Sequence, residues 1–117
     1  MNIGAVFISE QNQCVLPRVW RAVTTAERMR GLLGRPKLAS GEGLLIEACN
    51  MVHTVGMTYD IDLVFLDANG VICKMAHDVR PMRFRAAFSA KVTLELPAGE
   101  LTPLGLKLGQ QLHWRVF

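Results

Sequence analysis

The residues best suited to do chemistry lie at positions 48–62, between two short apolar runs. Cys49, His53 and Met57 follow one another there at intervals of four residues. Thiolate, imidazole and thioether groups together suit Cu(I) or another soft ion, so a metal site made of these three residues is one hypothesis. A helix would align them, but Gly56 and its β-branched neighbours disfavour a helix here. Because no CxxC pair or second histidine is nearby, we favour a chain without a metal or other cofactor.

A catalytic use of the same segment is a further alternative. Cys49, His53 and an aspartate could act as nucleophile, base and orienting group. Nothing in the sequence places Cys49 at a helix N-terminus or beside a cation that would favour its thiolate. We therefore predict no catalytic residue. A metal-dependent or hydrolytic enzyme that uses Cys49, His53, Met57 and Asp62 remains the alternative.

Two carboxylates stand at the end of this segment. Asp60 and Asp62 would point to the same side of a strand, with their Cβ atoms roughly 7 Å apart, a separation near that of acid–base pairs. A structural role suits Asp62 better, because a carboxylate at a strand entrance commonly accepts backbone N–H groups, here those of the loop 51–57. His53 and Asp62 together are the best candidates for a polar site.

The arginines are concentrated in one short stretch. Arg80, Arg83 and Arg85 surround Phe84, and the chain has a net charge of +3 and an isoelectric point near 9.0. Arginine binds phosphate and carboxylate groups well, and a phenylalanine can stack on a base. A charge of +3 is small for a nucleic-acid-binding domain. We expect a solvated loop or a small anion pocket, and keep weak nucleic-acid or anion binding through the three arginines as a second alternative.

Strand patterns dominate the elements that would position these residues. Apolar or alternating runs predict strands at 15–23, 43–47, 61–66, 71–75, 91–96 and 112–116. The run 61–66 is apolar on both faces, which predicts a central strand, and the turn at 67–70 would lead into an antiparallel partner. In 91–96, the valine and leucines are expected to point inward and Lys91, Thr93 and Glu95 outward.

One short helix is predicted after the first of these strands. Thr24 and Glu27 match a capping box, and Gly34 would end the helix. The apolar face that would cover a sheet consists of Ala26, Met29, Leu32 and Leu33. The predicted fold class is therefore α+β and predominantly β, a compact antiparallel sheet or small barrel of five to six strands with one short helix packed on it.

The length and composition limit the classes of protein to consider. A chain of 117 residues, of which 50% are hydrophobic, suits a single domain over 1–117 and excludes a disordered chain. No apolar run approaches the ~18 residues of a membrane span. The opening residues lack the basic region of a signal peptide, so we expect a cytoplasmic protein.

The order of several short motifs resembles a family found in bacteria and archaea, the domain of unknown function family 192, over residues 19–116. The motifs are Arg30-Gly31-Leu32-Leu33-Gly34, Gly43-Leu44-Leu45, His53-Thr54, Gly56-Met57, Ile61-Asp62, Phe65-Leu66-Asp67 and Leu94-Glu95-Leu96-Pro97-Ala98-Gly99. The resemblance implies a small β-rich fold with one helix and no established biochemical activity. Many relatives are taken to be envelope proteins, and the segment 49–57 is similar to relatives encoded near genes for pilus or secretion assembly.

We predict a non-catalytic binding or accessory module, linked through this resemblance to envelope, pilus or secretion assembly. Its ligand would be a protein partner or a small anionic ligand rather than nucleic acid, and the chain would be a monomer or homodimer. The predicted ligand-binding residues are His53, Thr54, Met57, Asp62, Glu95, Arg80 and Arg83.

Overall fold

A seven-stranded mixed sheet forms the frame of the protein. The structure, a computed structural model, describes residues 1–117. The strands are β1 (Asn2–Ile8), β2 (Gln13–Ala22), β3 (Glu42–Glu47), β4 (Met51–His53), β5 (Ile61–Leu66), β6 (Ile72–Val79), β7 (Phe84–Ala86), β8 (Val92–Pro97) and β9 (Leu112–Val116). The helices are α1 (Thr25–Arg30) and α2 (Leu101–Leu104). The strand order in the sheet is β6-β5-β8-β3-β2-β1-β9, and β4 pairs separately with β7.

The prediction for β5 is confirmed. This strand lies inside the sheet, between antiparallel β6 and β8, and all six of its residues are buried. The turn into β6 forms as expected, because the Asp67 carboxylate accepts hydrogen bonds from the backbone N–H groups of Asn69 (2.8 Å) and Val71 (3.0 Å). The apolar run therefore located the most buried strand of the molecule.

The predicted strand number and pairing are wrong. The sheet has seven strands rather than five to six, and it is not wholly antiparallel, because β2 and β3 run parallel in the register Arg18↔Glu42 to Ala22↔Ile46. Parallel neighbours need a long crossover, and the segment 23–41, which contains α1, supplies it. The opening residues form β1, which pairs with β2 and with β9.

The two edge strands of the sheet meet where β6 and β9 begin. Val71 and Gln111 form an isolated antiparallel bridge, and Leu112 donates its N–H to the Gly70 carbonyl at 2.8 Å. Gly70 has a φ of +79°, and a Cβ there would collide with the Leu112 carbonyl oxygen. The glycine therefore permits the close approach that nearly closes the sheet.

The predicted capping box is confirmed, but the helix is shorter than expected. The Glu27 N–H donates to the Thr24 hydroxyl (3.2 Å), and the Thr24 N–H donates to the Glu27 carboxylate (3.0 Å). The helix stops at Arg30 and has no buried residue, and Met29 is 76% exposed. Of the predicted apolar face, Leu32 is buried, and it lies beyond the helix. A second helix, α2, was not predicted.

Two apolar clusters cover the two faces of the sheet. One contains Val64, Leu94 and Leu96, and the other contains Leu44, Leu63 and residues from the 31–38 segment and β4. The second cluster is the reason that one orientation prediction is wrong. Thr93 and Glu95 point to that side and are buried, because the crossover and the β4–β7 pair cover it.

Neither helix is long or apolar enough to cross a membrane.

Candidate functional site

The structure separates Asp62 from the residues that were expected to share a site with it. Asp62 is fully buried, and its carboxylate accepts three backbone hydrogen bonds. One oxygen takes the Asp78 N–H (2.8 Å), and the other takes the N–H groups of Gly99 (3.0 Å) and Leu101 (3.0 Å). The structural role favoured for Asp62 is thus observed, with these donors in place of the loop 51–57.

Thr54 likewise bonds within the protein. Its side chain is buried, donates to the Arg80 carbonyl (2.6 Å), and accepts the Arg83 N–H (2.9 Å). The Thr54 N–H also donates to the Arg83 carbonyl (2.9 Å). These bonds fasten the 80–83 loop to the end of β4.

A small cavity gathers four of the residues that the sequence singled out. It has a volume of about 70 Å³ and lies between the segment 28–33, the β4 region and β8. Cys49, His53, Met57 and Glu95 all line it, and so do Arg28, Met29, Arg30, Gly31, Leu32, Leu33, Ile46, Met51 and Val52. We call this space the Glu95 cavity. The predicted residues Thr54, Asp62, Arg80 and Arg83 do not line it.

Glu95 is the one acidic residue that lines the cavity, and it is buried. Register places it beside Leu44 and Leu63 on the covered face of the sheet, and it is only 4% exposed. No hydrogen bond within the protein reaches its carboxyl group, and burial raises the pKa of Glu95 from 4.5 to about 7. A buried carboxylate that has no partner is unfavourable, so the site favours any group that donates to it.

Gly31 allows the chain to lie directly over this carboxyl group. It caps α1 with a φ of +53°, and a Cβ built on it would be 3.4 Å from Glu95 Oε1. The carboxyl group also affects Tyr59. Burial, and to a smaller extent the charge of Glu95, raise the pKa of the Tyr59 hydroxyl. The Tyr59 hydroxyl is buried and has no hydrogen-bond partner.

The rim of the cavity combines two arginines, of which Arg28 keeps a buried Nε without a hydrogen-bond partner, with two exposed thioethers. Arg28 donates to the Ala48 carbonyl (3.2 Å), and Arg30 donates to the carbonyls of Leu33 (2.9 Å) and Gly34 (3.0 Å). Met29 and Met51 are 76% and 59% exposed. Both methionines were missed as site residues, since a methionine at helical or strand spacing usually indicates core.

Cys49 and His53 contact neighbouring groups rather than each other. Cys49 Sγ donates to the Met51 carbonyl (3.2 Å), and no Cys49–His53 hydrogen bond forms that would couple a nucleophile to a base. No group of three or more His, Cys, Asp or Glu side chains is placed to hold a metal ion. The imidazole of His53 instead lies 6.2 Å from the Phe84 ring, centroid to centroid.

Comparison with known proteins supports the resemblance seen in the sequence. The family model DUF192, described as an uncharacterized ACR, matches residues 6–114. No curated protein matches the chain.

Two solved structures share the fold. One, from Sinorhizobium meliloti 1021 and described as a candidate transcription regulator, is 21% identical and superposes with a TM-score of 0.80 over 97% of this chain and 92% of that one. The other, from Novosphingobium aromaticivorans DSM 12444, is a protein of unknown function that is 20% identical, with a TM-score of 0.76 over 96% and 84% of the two chains. At these identities the similarity shows the fold alone.

We expect Asp62→Asn to destabilise the protein by about 3 kcal/mol. The substitution replaces one carboxylate oxygen with an NH2 group, which cannot accept the backbone N–H groups that now bond to that oxygen. Urea denaturation of the variant measures this loss. Asp60→Asn is the matched control, since Asp60 is partly exposed and we expect its replacement to change stability by less than about 0.5 kcal/mol. A loss below about 1 kcal/mol for Asp62→Asn would contradict the structural role.

We expect Glu95→Gln to remove a pH-dependent loss of stability. In the unfolded chain this carboxyl titrates near 4.5, and in the folded chain near 7, so the folded state binds more protons between these values. Stability of the wild type therefore falls as the pH rises through this window, by roughly 3 kcal/mol in total, and the variant lacks this contribution.

Urea unfolding of both proteins between the two pKa values tests this expectation. As the pH rises, the unfolding free energy of the wild type should fall relative to that of Glu95→Gln. Glu10→Gln, which changes an exposed position, should follow the wild type. A difference that does not vary with pH would show that Glu95 titrates normally.

Proposed function

The chain belongs to the DUF192 family, and from that premise we propose that it is a single-domain, non-catalytic binding module whose site is the Glu95 cavity. The observation that carries the proposal is a carboxyl group that is 4% exposed, lacks a partner and borders a cavity of about 70 Å³. That volume exceeds what one water needs, so a ligand group can enter. A ligand that donates a hydrogen bond would remove the cost of leaving the carboxylate unpaired.

The ligand that fits these groups is a basic side chain on an apolar segment of a partner protein. A cation gains most from a carboxylate in a poorly solvated site. No ion pair joins Glu95 to the arginines at the rim, which donate to the backbone carbonyls of Ala48, Leu33 and Gly34. Met29 and Met51 offer flexible, polarisable contacts of the kind that accommodate varied apolar residues.

This proposal changes one part of the sequence-based hypothesis, the charge of the ligand, and leaves another part unchanged. The predicted anionic ligand depended on Arg80 and Arg83, which lie outside the cavity, whereas Glu95 favours a donor or a cation. The link to envelope, pilus or secretion assembly stays a hypothesis that rests on the family resemblance.

Short synthetic peptides test the proposal directly. The probes carry lysine, glutamine or norleucine at one central position between leucines, and isothermal titration measures their affinity. We expect the lysine peptide to bind the wild type more tightly than the norleucine peptide does. Glu95→Gln should abolish this preference while it leaves norleucine binding in place.

The same titration has a pH signature. Because the Glu95 carboxyl must be ionised to attract lysine, affinity for the lysine peptide should rise about tenfold from about pH 6 to about pH 8, and it should stay flat in Glu95→Gln. Equal affinity for the lysine and norleucine peptides would contradict the proposal. So would a preference for lysine that survives Glu95→Gln.

A soft metal ion is the second candidate ligand, because Cys49, His53 and Met57 line the same cavity. Native mass spectrometry of untagged protein with added silver(I), as a stable substitute for copper(I), separates the two candidates. One bound ion that is lost in Cys49→Ser and retained in Cys73→Ser would favour the metal. Protein that binds no ion but binds the lysine peptide would favour the binding module.

A further inference from the structure

The stretch 74–91, which runs from within β6 to the residue before β8, is basic, and none of its residues lines the Glu95 cavity. This stretch contains five cations, Lys74, Arg80, Arg83, Arg85 and Lys91, and one acidic residue, Asp78. None of the five cations belongs to an ion pair, since the three ion pairs of the protein join Met1 to Glu27, Arg18 to Glu42 and Arg21 to Glu47. The positive charge of the stretch is therefore not neutralised within the molecule.

The cationic side chains that do form hydrogen bonds use only nearby carbonyl groups. Arg85 donates to the Phe84 carbonyl (2.7 Å), Arg83 donates to the Met82 carbonyl (3.3 Å), and Lys74 donates to the Ala86 carbonyl (2.7 Å). These bonds hold the cations close to the β7 strand and leave their charge available to an anionic partner.

Large apolar side chains project from the same stretch. Phe88 is 97% exposed, more than any other large hydrophobic residue, and Met82 and Phe84 are 64% and 62% exposed. Phe88 lies in the turn after β7, and Met82 lies in the turn before it with a φ of +63°. Where such groups form a contiguous patch, they mark a surface that meets a partner or a membrane.

The arrangement distinguishes between those two classes of partner. A protein interface typically has an apolar centre surrounded by a polar rim. Here Met82 and Phe88 lie on turns, Phe84 opens β7, and none of the three lines the Glu95 cavity or the three larger cavities. A bilayer surface supplies phosphates for the cations and, just beneath them, an apolar layer for projecting rings.

We propose that the stretch 74–91 docks on membranes that contain anionic lipids, with the cations among the lipid phosphates and Phe88 inserted at the acyl boundary. The ligand is the lipid surface itself rather than free phosphate, because free phosphate would leave Phe88, Phe84 and Met82 in water. This proposal does not rest on the Glu95 cavity.

Vesicle co-sedimentation of the full chain tests it. Vesicles of phosphatidylcholine that contain about a quarter phosphatidylglycerol should bind the protein at low salt, whereas vesicles of phosphatidylcholine alone should not. High salt should release the protein, since it screens the charges. Inorganic phosphate at the same ionic strength should compete no better than chloride does.

Two variants separate the apolar and electrostatic contributions. Phe88→Ala should weaken vesicle binding about tenfold, because the ring no longer enters the apolar layer. The double variant Arg83→Glu with Arg85→Glu should weaken it by about tenfold or more. Phe117→Ala and Lys107→Glu, at exposed positions outside the stretch, are the matched controls and should bind as the wild type does. Near-ultraviolet circular dichroism confirms that each variant is folded.

Several outcomes would overturn the proposal. They are no binding to the anionic vesicles at low salt, equal binding to both kinds of vesicle, and unchanged binding of Phe88→Ala. A homodimer in solution that dissociates on Phe88→Ala would assign the surface to a second copy of the chain. Binding of RNA or polyglutamate without any vesicle binding would assign it to a soluble polyanion.

Discussion

The interior strands of this sheet are covered on both faces, so every polar side chain that they carry must find a partner inside the protein or remain unsatisfied. Asp62 on β5 and Glu95 on β8 are the two carboxylates subject to this constraint, and both are buried. Asp62 accepts three backbone N–H groups and thereby joins β5 to the end of β6 and to the turn that precedes α2. Glu95 accepts none. One carboxylate therefore links three parts of the fold, and the other has no hydrogen-bond partner within the protein.

The apolar layer on the second face explains why Glu95 is buried without being bonded. The crossover between the parallel strands β2 and β3 returns over this face, and Gly31 brings its backbone against the carboxyl group. The β4–β7 pair covers the neighbouring part of the layer. These two segments meet above Glu95 without filling the space between them, which leaves the cavity. β8 supplies the buried carboxyl group of the cavity, and the covering segments supply its arginines, its thioethers and His53.

The same layer sets the limit of what the sequence predicts. The uninterrupted apolar run of β5, the capping box at Thr24 and the turn at Asp67 were all predictable, because each depends on residues that are close together in the chain. The parallel pairing of β2 with β3 depends on contacts across a crossover, and the burial of Glu95 depends on segments with no regular pattern. Alternation predicts an outward Glu95 wherever the outer face of a strand meets water, and here that face is covered. Cys49, His53 and Met57 were singled out for their side-chain types, and all three line the Glu95 cavity without the helix that their spacing would require.

Thr54 connects the two surfaces for which roles are proposed. Its buried hydroxyl bonds to the backbone of Arg80 and Arg83, and the next residue toward the N-terminus, His53, pairs with Phe84 across the β4–β7 ladder. One edge of the Glu95 cavity and part of the stretch 74–91 are therefore built on the β4–β7 pair. Hydrogen bonds from Thr93 to the Cys49 carbonyl and from Lys74 to the Ala86 carbonyl, together with the buried Val52, hold this short pair against the sheet. Thr54 therefore fixes the position of the 80–83 loop relative to His53, which lines the Glu95 cavity, although Thr54 itself does not line that cavity.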